Sequence, residues 1–537
     1  MHETHALSSR DNPSLPDLPL VREGAIHPIS PLDVRALPVI SVSDPAAVRD
    51  AVDRARIAQS GWAGRRFKDR VEALRRAAKS MLESRHEVIA LMREDVGKLE
   101  VDALMSEVLG PLDQVDSWAK VIGPAIERRK VRLNPLNFPK KKAFVDRLPR
   151  GVIGIIAPWN YPLATLFRTV IPALLSGNGV VLKPSEYSTR IAQWFCQKMA
   201  AELPPGLLMV VPGGRETGIA LLESGIDACI FTGSVAAGRD VSRRCGERMI
   251  PCSIELGGKD AAIVLHDCDL ERTVAGVTHW ALHNVGQACG AIEIAYVDVR
   301  IADEFVERLS AAWSKLRVGA GGPGEVDISP LTNARQLALV ESHVRDALAK
   351  GARLICGGQR TGEGFFYPPT IVDHCTASMD VVTDETFGPV LAVVRVDGAS
   401  DAIRRINAGR YGLTSSIWTR DHARGMRLAE QIDVGVVTIN NHAMTGAIAA
   451  LPWSGTRDTG TGIANSELAL GIFTRPKTVL LDMNEAPELF WMPYDRTLYE
   501  LGNLLSDAQI LKLGPTLAKI PFLLKQRVDT VRRFFRT

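Results

Sequence analysis

Apolar residues follow a helical spacing in the first quarter of the chain and form short continuous runs after residue 150. Between residues 44 and 120, apolar positions such as Val48, Ala51 and Val52 recur three and four apart, which predicts amphipathic helices. From residue 152 onward, apolar runs of four or five residues alternate with helical segments. This alternation predicts an α/β fold built on a doubly wound parallel sheet.

Four strand–helix steps make up the first part of this alternation. The predicted strands are Val152–Ile156, Gly179–Leu182, Leu208–Val211 and Ala228–Phe231. Each run is apolar throughout, as expected for strands that are buried on both faces of a parallel sheet. The pattern restarts at Ala261–Leu265 and continues to residue 455, which predicts a second α/β domain.

Three segments depart from this pattern. Residues 1–25 are polar and rich in proline, which predicts a disordered leader. Residues 128–150 are basic and predict an extended hairpin, while Thr478–Asp482 predicts a late strand.

The C-terminal extension, residues 484–537, carries a further amphipathic pattern. Leu524, Val528, Val531 and Phe535 share one predicted helical face, and lysines and arginines surround it. A basic amphipathic helix can lie on an anionic membrane surface, so we expect possible peripheral membrane contact through this helix. The alternative is a helix that packs on its own oligomer.

Composition narrows the class of protein. The 537 residues are 46% apolar and 23% charged, which is typical of a globular protein with two or three domains. The net charge of +3 gives no overall attraction to nucleic acid. Eight cysteines without a CxxC pair favour a reduced, cytoplasmic setting, and the N-terminus lacks the pattern of a signal peptide.

Polar residues follow the predicted strands of the first sheet. Asn160 follows the first strand, Lys183 and Glu186 follow the second, and Gly233 with Ser234 opens the helix after the fourth. Ligands of open α/β sheets bind at these strand ends, and a helix N-terminus suits phosphate. Together these residues predict a dinucleotide site, although each alone also fits a strand-end loop or a helix cap.

Two glycine-rich segments supply candidate chemistry. Glu255 begins the segment Glu-Leu-Gly-Gly-Lys, and Cys289 ends the segment Asn-Val-Gly-Gln-Ala-Cys. A thiol nucleophile and a carboxylate base are the groups that covalent catalysis through a thioester requires. No cluster of metal ligands is evident in the sequence, so no metal site is expected.

Six motifs in one order make the chain resemble the aldehyde dehydrogenase superfamily over residues 25–483. The motifs are Pro158-Trp159-Asn160-Tyr161-Pro162, Lys183-Pro184-Ser185-Glu186, Phe231-Thr232-Gly233-Ser234, Glu255-Leu256-Gly257-Gly258-Lys259, Gly286-Gln287-Ala288-Cys289 and Glu385-Thr386-Phe387-Gly388-Pro389. Two segments differ from the family pattern, Pro452–Gly460 and Glu293-Ile294, and neither includes a motif of the core chemistry.

The resemblance implies an oxidation of an aldehyde to a carboxylic acid with NAD(P)+, through a cysteine thiohemiacetal and a thioester. Cys289 would be the nucleophile, Asn160 an oxyanion donor and Glu255 the base that activates water. The resemblance also implies a set of cofactor contacts: Trp159, Lys183, Ser185, Glu186, Gly233, Ser234, Glu385 and Phe387. A carboxylate at Glu186 favours NAD, with NADP possible.

The resemblance implies a domain organisation as well. Residues 26–127 and 151–256 would form the NAD-binding domain, and residues 257–460 the catalytic domain. Residues 128–150 and 470–483 resemble the family's small β oligomerisation element, which implies a homodimer or homotetramer.

Several alternatives concern the substrate and the function. Small residues beside the nucleophile and the apolar loop 445–453 favour an apolar aliphatic or aromatic aldehyde. Arg168 could instead meet the carboxylate of a semialdehyde, or it could be a surface or salt-bridged residue. A catalytically inactive binding protein would have lost Cys289, Glu255 or Asn160. Nucleic-acid binding by the basic hairpin is not expected, because few aromatic residues interleave its charges.

Overall fold

A computed structural model describes residues 20–135, 137–509 and 519–535 of the chain. The chain divides into two compact units. The first consists of residues 1–126 and 148–475, and the second of residues 127–147 and 476–537. The division of the first unit into a NAD-binding and a catalytic domain stays a prediction.

A small antiparallel sheet corrects the expected extent of the leader. Its strands are β1 Val21–Arg22, β2 Ala25–Ile26 and β3 Ile40–Ser41. Glu23 and Gly24 adopt φ angles of 51° and 72° and turn the chain between β1 and β2. The polar residues just before position 25 therefore form a hairpin, and the rest of the expected leader, residues 1–19, lies outside the described residues.

Helices occupy the next segment, as the spacing of apolar residues predicts. The Asp44 carboxylate accepts the Ala47 N–H at 2.7 Å and caps the first helix, in which Pro45 takes the first position. The helices are α1 Pro45–Ala63, α2 Phe67–Glu83, α3 Arg85–Val96, α4 Glu100–Asp102 and α5 Pro111–Ile126, with a π-helical segment Ala103–Val108 before the last.

The basic segment is an antiparallel hairpin in the second unit, as predicted. It pairs β4 Arg129–Val131 with β5 Lys141–Pro149.

The first large sheet is entirely parallel and confirms the predicted doubly wound α/β fold. Its strands are β6 Val152–Ile156, β7 Gly179–Lys183, β8 Leu208–Val210, β9 Ala228–Thr232 and β10 Cys252–Glu255, in the order β10-β9-β6-β7-β8. The helices are α6 Ala164–Leu175, α7 Thr189–Ala200, α8 Arg215–Glu223 and α9 Val235–Glu247. Helix α8 completes the step between β8 and β9 that the predicted alternation of strands and helices implies.

The second large sheet is mixed, since its edge pair β13–β14 is antiparallel. Its strands are β11 Ala261–Val264, β12 Ile294–Asp298, β13 Arg353–Cys356, β14 Thr370–Asp373, β15 Val390–Val396, β17 Thr414–Trp418 and β18 Val436–Ile439, in the order β13-β14-β15-β12-β11-β17-β18. The helices are α10 Leu270–Leu282, α11 Ala302–Trp313, α12 Ala334–Ala349, α13 Asp380–Thr383, α14 Gly398–Ala408, α15 His422–Ala429 and α16 Leu470–Phe473. Two small antiparallel pairs join β16 Tyr411–Gly412 to β20 Thr456–Arg457 and β19 Trp453–Ser454 to β21 Ile463–Ala464.

The second unit also contains the last strand and two helices. Strand β22 Thr474–Asp482 is an edge strand that pairs with β5. The helices α17 Arg496–Gln509 and α18 Ile520–Phe535 pack on each other. No helix of the described residues is long and apolar enough to cross a membrane.

The buried face of α18 differs from the predicted one. The residues that are buried are Leu523, Arg527 and Val531, whereas Phe535 is exposed. Val531 is buried as predicted, but Leu524 and Val528 are only half-buried, because Arg527, assumed to face solvent, is fully buried against backbone carbonyl oxygens.

Candidate active site

The carboxyl ends of four parallel strands lie at one edge of the first sheet. Asn160 follows β6, Lys183 ends β7, Ser234 follows β9 and Glu255 ends β10. Because neighbouring parallel strands end at the same edge, the fold brings these predicted site residues to one side of the sheet.

Lys183 and Glu186 form a structured pair at the end of β7. The Lys183 side chain is buried, and its Nζ lies 3.6 Å from Glu186 Oε2. Burial lowers the pKa of Lys183, while Glu186 opposes that change. Ser185 Oγ lies 3.5 Å from the same carboxylate and accepts the Tyr187 N–H at 3.4 Å. The pair can thus offer both a donor and an acceptor to ribose hydroxyls.

The N-terminus of α9 is built to approach a phosphate closely. Ser234 caps the helix and lies exposed, with its Oγ 3.5 Å from the Ala237 N–H. A Cβ at Gly233 would stand 2.7 Å from the Phe231 ring, so a side chain there would have to displace that ring. Free N–H groups and the helix dipole at this end favour an anion, which fits the pyrophosphate of a dinucleotide.

Three aromatic side chains pack together near this edge of the sheet, and the segment that carries one of them also carries the carboxylate of Glu385. The Trp159 ring lies 5.6 Å from Phe387 and 6.4 Å from Tyr187. Glu385 Oε1 accepts the Gly258 N–H at 3.2 Å. A Cβ at Gly257 would stand 2.2 Å from the Glu385 carboxylate oxygens, so the glycine makes room for that side chain.

Glu293 holds the segment around Glu385 in place, a role that the sequence does not predict. Its two carboxylate oxygens accept the N–H groups of Thr386 at 2.8 Å and Phe387 at 2.7 Å. The same carboxylate pairs with Lys259, which also donates to Thr386 Oγ1 at 3.0 Å. The local spacing of residues does not indicate these contacts, because Glu293 lies 93 positions from Thr386.

Three consecutive residues in the left-handed region shape the turn before Cys289. Asn284, Val285 and Gly286 have φ angles of 51°, 59° and 69°. A Cβ at Gly286 would stand 2.1 Å from the Gly388 carbonyl oxygen, so this turn requires glycine there.

Asn160 is tied to that turn through reciprocal hydrogen bonds. Asn160 Nδ2 donates to the Gln287 carbonyl oxygen at 3.1 Å. Asn284 Nδ2 donates to the Asn160 carbonyl oxygen at 3.0 Å and to the same Gln287 oxygen at 3.0 Å. One N–H of the Asn160 amide is therefore used structurally, and the amide has a second N–H for a ligand.

Cys289 lies against an apolar cluster formed by Leu413, Val436 and Trp453. Burial raises the pKa of the Cys289 thiol to about 12, and the nearby charge of Arg168 works in the opposite direction. The backbone of Cys289 packs closely on Gly258, where a Cβ would stand 2.9 Å from the Cys289 carbonyl oxygen.

Glu255 is a buried carboxylate with an unused oxygen. Its Oε1 is inaccessible to solvent and has no hydrogen-bond partner among the described residues. Burial raises the pKa of Glu255 to about 8, and Arg168 lowers it. A carboxylate of this kind can hold or release a proton near neutral pH.

Arg168 lies beside these groups, among side chains that pack around the site, and not at an exposed surface. Its guanidinium lies 5.7 Å from the Trp453 ring, and its Nε and one terminal nitrogen have no hydrogen-bond partner among the described residues. No ion pair involving Arg168 occurs within the described ranges. The Trp453 ring is itself close to two glycines, since a Cβ would stand 2.9 Å from it at Gly290 and 3.2 Å at Gly446.

The sequence profile of the aldehyde dehydrogenase family matches residues 21–479. The chain belongs to the aldehyde dehydrogenase family. It is an NAD(P)-dependent aldehyde dehydrogenase, which oxidises an aldehyde to the carboxylic acid. The resemblance predicted from six motifs is confirmed.

Two relatives show what this aldehyde dehydrogenase is similar to in sequence. A 4,4'-diapolycopene aldehyde oxidase from Methylomonas sp is 34% identical over 477 residues, which cover 88% of this chain and 89% of the relative. A provisionally named NADP(+) succinate-semialdehyde dehydrogenase from Mycolicibacterium smegmatis is 33% identical over 457 residues, 83% of this chain and 86% of the relative.

Solved structures agree in fold. The Mycobacterium tuberculosis aldehyde dehydrogenase complexed with NAD+ has a TM-score of 0.81 at 32% identity, over 87% of this chain and 96% of that one. The Bacillus cereus aldehyde dehydrogenase in its NAD+ complex has a TM-score of 0.82 at 28% identity, over 86% and 94% of the two chains.

Proposed function

We propose that Cys289 is the nucleophile of this aldehyde dehydrogenase and that Asn160 stabilises the oxyanion. The Cys289 thiol releases its proton to solvent water, its sulfur bonds to the aldehyde carbon, and the carbonyl oxygen becomes an oxyanion. The free N–H of the Asn160 amide and the backbone N–H of Cys289 can donate to it. The observation that supports this best is the hydrogen-bonded link between Asn160 and the turn that carries Cys289.

Glu255 is the proposed base for the second half of the reaction. When bound, NAD(P)+ would accept a hydride, after which Cys289 carries the acyl group as a thioester. The Glu255 carboxylate takes a proton from water, whose oxygen attacks the thioester carbon. The carboxylic acid leaves, and the proton returns the Cys289 thiolate to a thiol.

The proposed cofactor contacts follow from the strand ends. Lys183, Ser185 and Glu186 hold the adenosine ribose, with Gly233 and Ser234 at the pyrophosphate. Glu385, with Trp159 and Phe387 beside it, borders the nicotinamide end. Glu186 supports a preference for NAD, because its carboxylate accepts from a 2′-hydroxyl and repels a 2′-phosphate.

An apolar aliphatic or aromatic aldehyde is the proposed substrate. Leu413, Val436 and Trp453 give the surroundings of Cys289 an apolar character. The relative named as a 4,4'-diapolycopene aldehyde oxidase, whose name denotes a polyene aldehyde, supports this choice.

A semialdehyde is the second candidate, and one observation favours it. The guanidinium nitrogens of Arg168 that lack a hydrogen-bond partner among the described residues lie near the Trp453 ring. They could donate hydrogen bonds to the carboxylate of a substrate. Relatives named as succinate-semialdehyde dehydrogenases agree with this alternative.

The absorbance of reduced nicotinamide distinguishes the two candidates. We expect kcat/KM to rise with the chain length of linear aldehydes, because each buried CH2 contributes about 0.8 kcal/mol. We expect Arg168→Met to leave this series intact, and Cys289→Ala to abolish reduction of the cofactor. A strong preference for succinic semialdehyde that Arg168→Met removes would instead establish the second candidate.

Assembly and location are proposed at the level of the whole chain. A homodimer or homotetramer is supported by the free edge of β22, where Leu480 and Leu481 are exposed. A cytoplasmic location is supported by eight cysteines that are all free thiols. Peripheral membrane contact through the C-terminal helix is supported by Lys525, Arg532 and Arg533, which are exposed on α18.

A further inference from the structure

A single buried arginine holds a loop of the C-terminal extension in place. Arg527 of α18 donates from Nε to the Leu489 carbonyl oxygen at 2.8 Å and from a terminal nitrogen to that of Trp491. Its other terminal nitrogen lies 3.3 Å from Asp495, whose carboxylate also caps α17 through the Leu498 N–H. The backbone of this segment is therefore held at two carbonyl oxygens, and an ion pair links Asp495 to the same arginine.

The loop held in this way presents its large side chains to solvent. We name residues 490–494 the aromatic loop. The exposed fractions of its large side chains are 59% for Phe490, 55% for Trp491, 61% for Met492 and 73% for Tyr494. A loop whose backbone is clamped while its apolar side chains stay exposed is typical of an interaction site.

The charge of the same unit indicates the kind of partner. The second unit contains 17 lysines and arginines against nine aspartates and glutamates, whereas the whole chain has a net charge of only +3. The hairpin contributes exposed cations at Arg129, Lys130, Arg132, Lys140 and Lys142. An excess of positive charge attracts anionic headgroups.

We propose that the aromatic loop inserts into the interface of an anionic lipid bilayer. Tryptophan and tyrosine favour this interface because each combines an apolar ring with a polar group. Arg527 acts as a positioning residue for the loop and does not contact lipid, while the exposed cations of the unit bind headgroups. This inference rests on the proposed membrane contact and assigns its apolar part to the loop instead of α18.

Vesicle sedimentation of the full chain tests the inference. The probes are phosphatidylcholine vesicles with and without phosphatidylglycerol at low ionic strength. The loop variant combines Phe490→Ser, Trp491→Ser, Met492→Ser and Tyr494→Ser. A matched control replaces four exposed apolar residues of the first unit, namely Ile57→Ser, Met249→Ser, Val299→Ser and Met426→Ser. Activity with a short soluble aldehyde, expected to be unchanged in both variants, verifies folding.

We expect the wild type and the control to bind anionic vesicles, and the loop variant to bind at least about tenfold more weakly. Quenching of tryptophan fluorescence by brominated lipid should also fall in Trp491→Phe. No binding by the wild type would overturn the membrane contact altogether. Equal binding by wild type and loop variant would overturn only the insertion of the loop. A loop variant that binds normally but changes oligomeric mass would show that a second copy covers the loop.

Discussion

At the scale of single residues, we expect the buried carboxylate of Glu255 to determine how the rate depends on pH. Its pKa of about 8 means that the ionised form, which the proposed hydrolysis requires, grows as the pH rises from 6 to 9. We expect thioester hydrolysis to increase over that range. Glu255→Gln should slow it by about 10²–10⁴-fold and remove the pH dependence.

Rapid mixing with NAD+ and aldehyde measures this effect. In Glu255→Gln we expect one burst of reduced cofactor per Cys289, followed by a slow steady state. Glu216→Gln, at an exposed side chain, serves as the control. A variant that retains full turnover would remove Glu255 from the mechanism.

The same carboxylate makes the stability of the fold change with pH in the opposite direction to the rate. Its pKa is about 8 when folded and 4.5 at its ordinary value. Between these pH values the folded chain holds a proton that the unfolded chain has lost, so this residue makes stability decrease as the pH rises. We expect the fall in melting temperature between pH 5 and pH 8 to be smaller in Glu255→Gln than in the wild type.

At the same scale, we expect Glu186 to determine which cofactor is preferred. Glu186→Ser removes the carboxylate that would repel a 2′-phosphate, and Lys183 remains beside it. We expect the ratio of kcat/KM for NAD to that for NADP to fall by at least about tenfold, or about 1.4 kcal/mol. An unchanged ratio of initial rates with the two cofactors would show that Glu186 does not determine which cofactor is preferred.

At the scale of elements, a buried ion pair anchors the helix that follows Asn160. Lys98 Nζ lies 2.5 Å from Glu107, whose other oxygen accepts the N–H groups of Leu163 and Ala164 at the start of α6. Removal of one partner from a buried pair costs about 3–5 kcal/mol. We expect Glu107→Leu to lower the free energy of unfolding by that amount and to reduce kcat.

Chemical denaturation measures the difference, and an exposed pair is its control. Asp69→Ala breaks the Arg66–Asp69 pair, in which both side chains are exposed, and should lower the free energy of unfolding far less than Glu107→Leu. Similar losses in the two variants would mean that Glu107 does not anchor α6.

Elements with a periodic apolar pattern were predictable, and contacts with distant partners were not. The runs that form β6 and β7 indicate buried strands because short, continuous apolar runs that alternate with helical segments are typical of a parallel sheet. Arg527 misled the prediction of α18 because its acceptors are backbone carbonyl oxygens 36 and 38 positions away. Glu293 escaped notice for the same reason, since its partners lie on a distant segment.

At the scale of the whole molecule, the free edge of β22 is the proposed place where copies meet. Leu480 and Leu481 are 56% and 48% exposed on an edge strand, a combination that favours pairing with another chain. We expect Leu480→Lys with Leu481→Lys to shift the mass measured by light scattering to that of the monomer. Leu339→Lys with Leu348→Lys, on α12, should leave the mass unchanged. An oligomer that survives the first pair of changes would place the interface elsewhere.

Trp453 also determines how the enzyme can be redesigned. The indole fills the space that side chains at Gly290 and Gly446 would otherwise occupy, so the three positions share one volume. A side chain at Gly290 would clash with the indole and one at Gly446 would press on it, and a smaller residue at 453 relieves both contacts. A library that varies only one of these positions would therefore sample mostly overfilled or hollow pockets. A library that varies all three together would redistribute the same volume and so change the aldehydes accepted at Cys289.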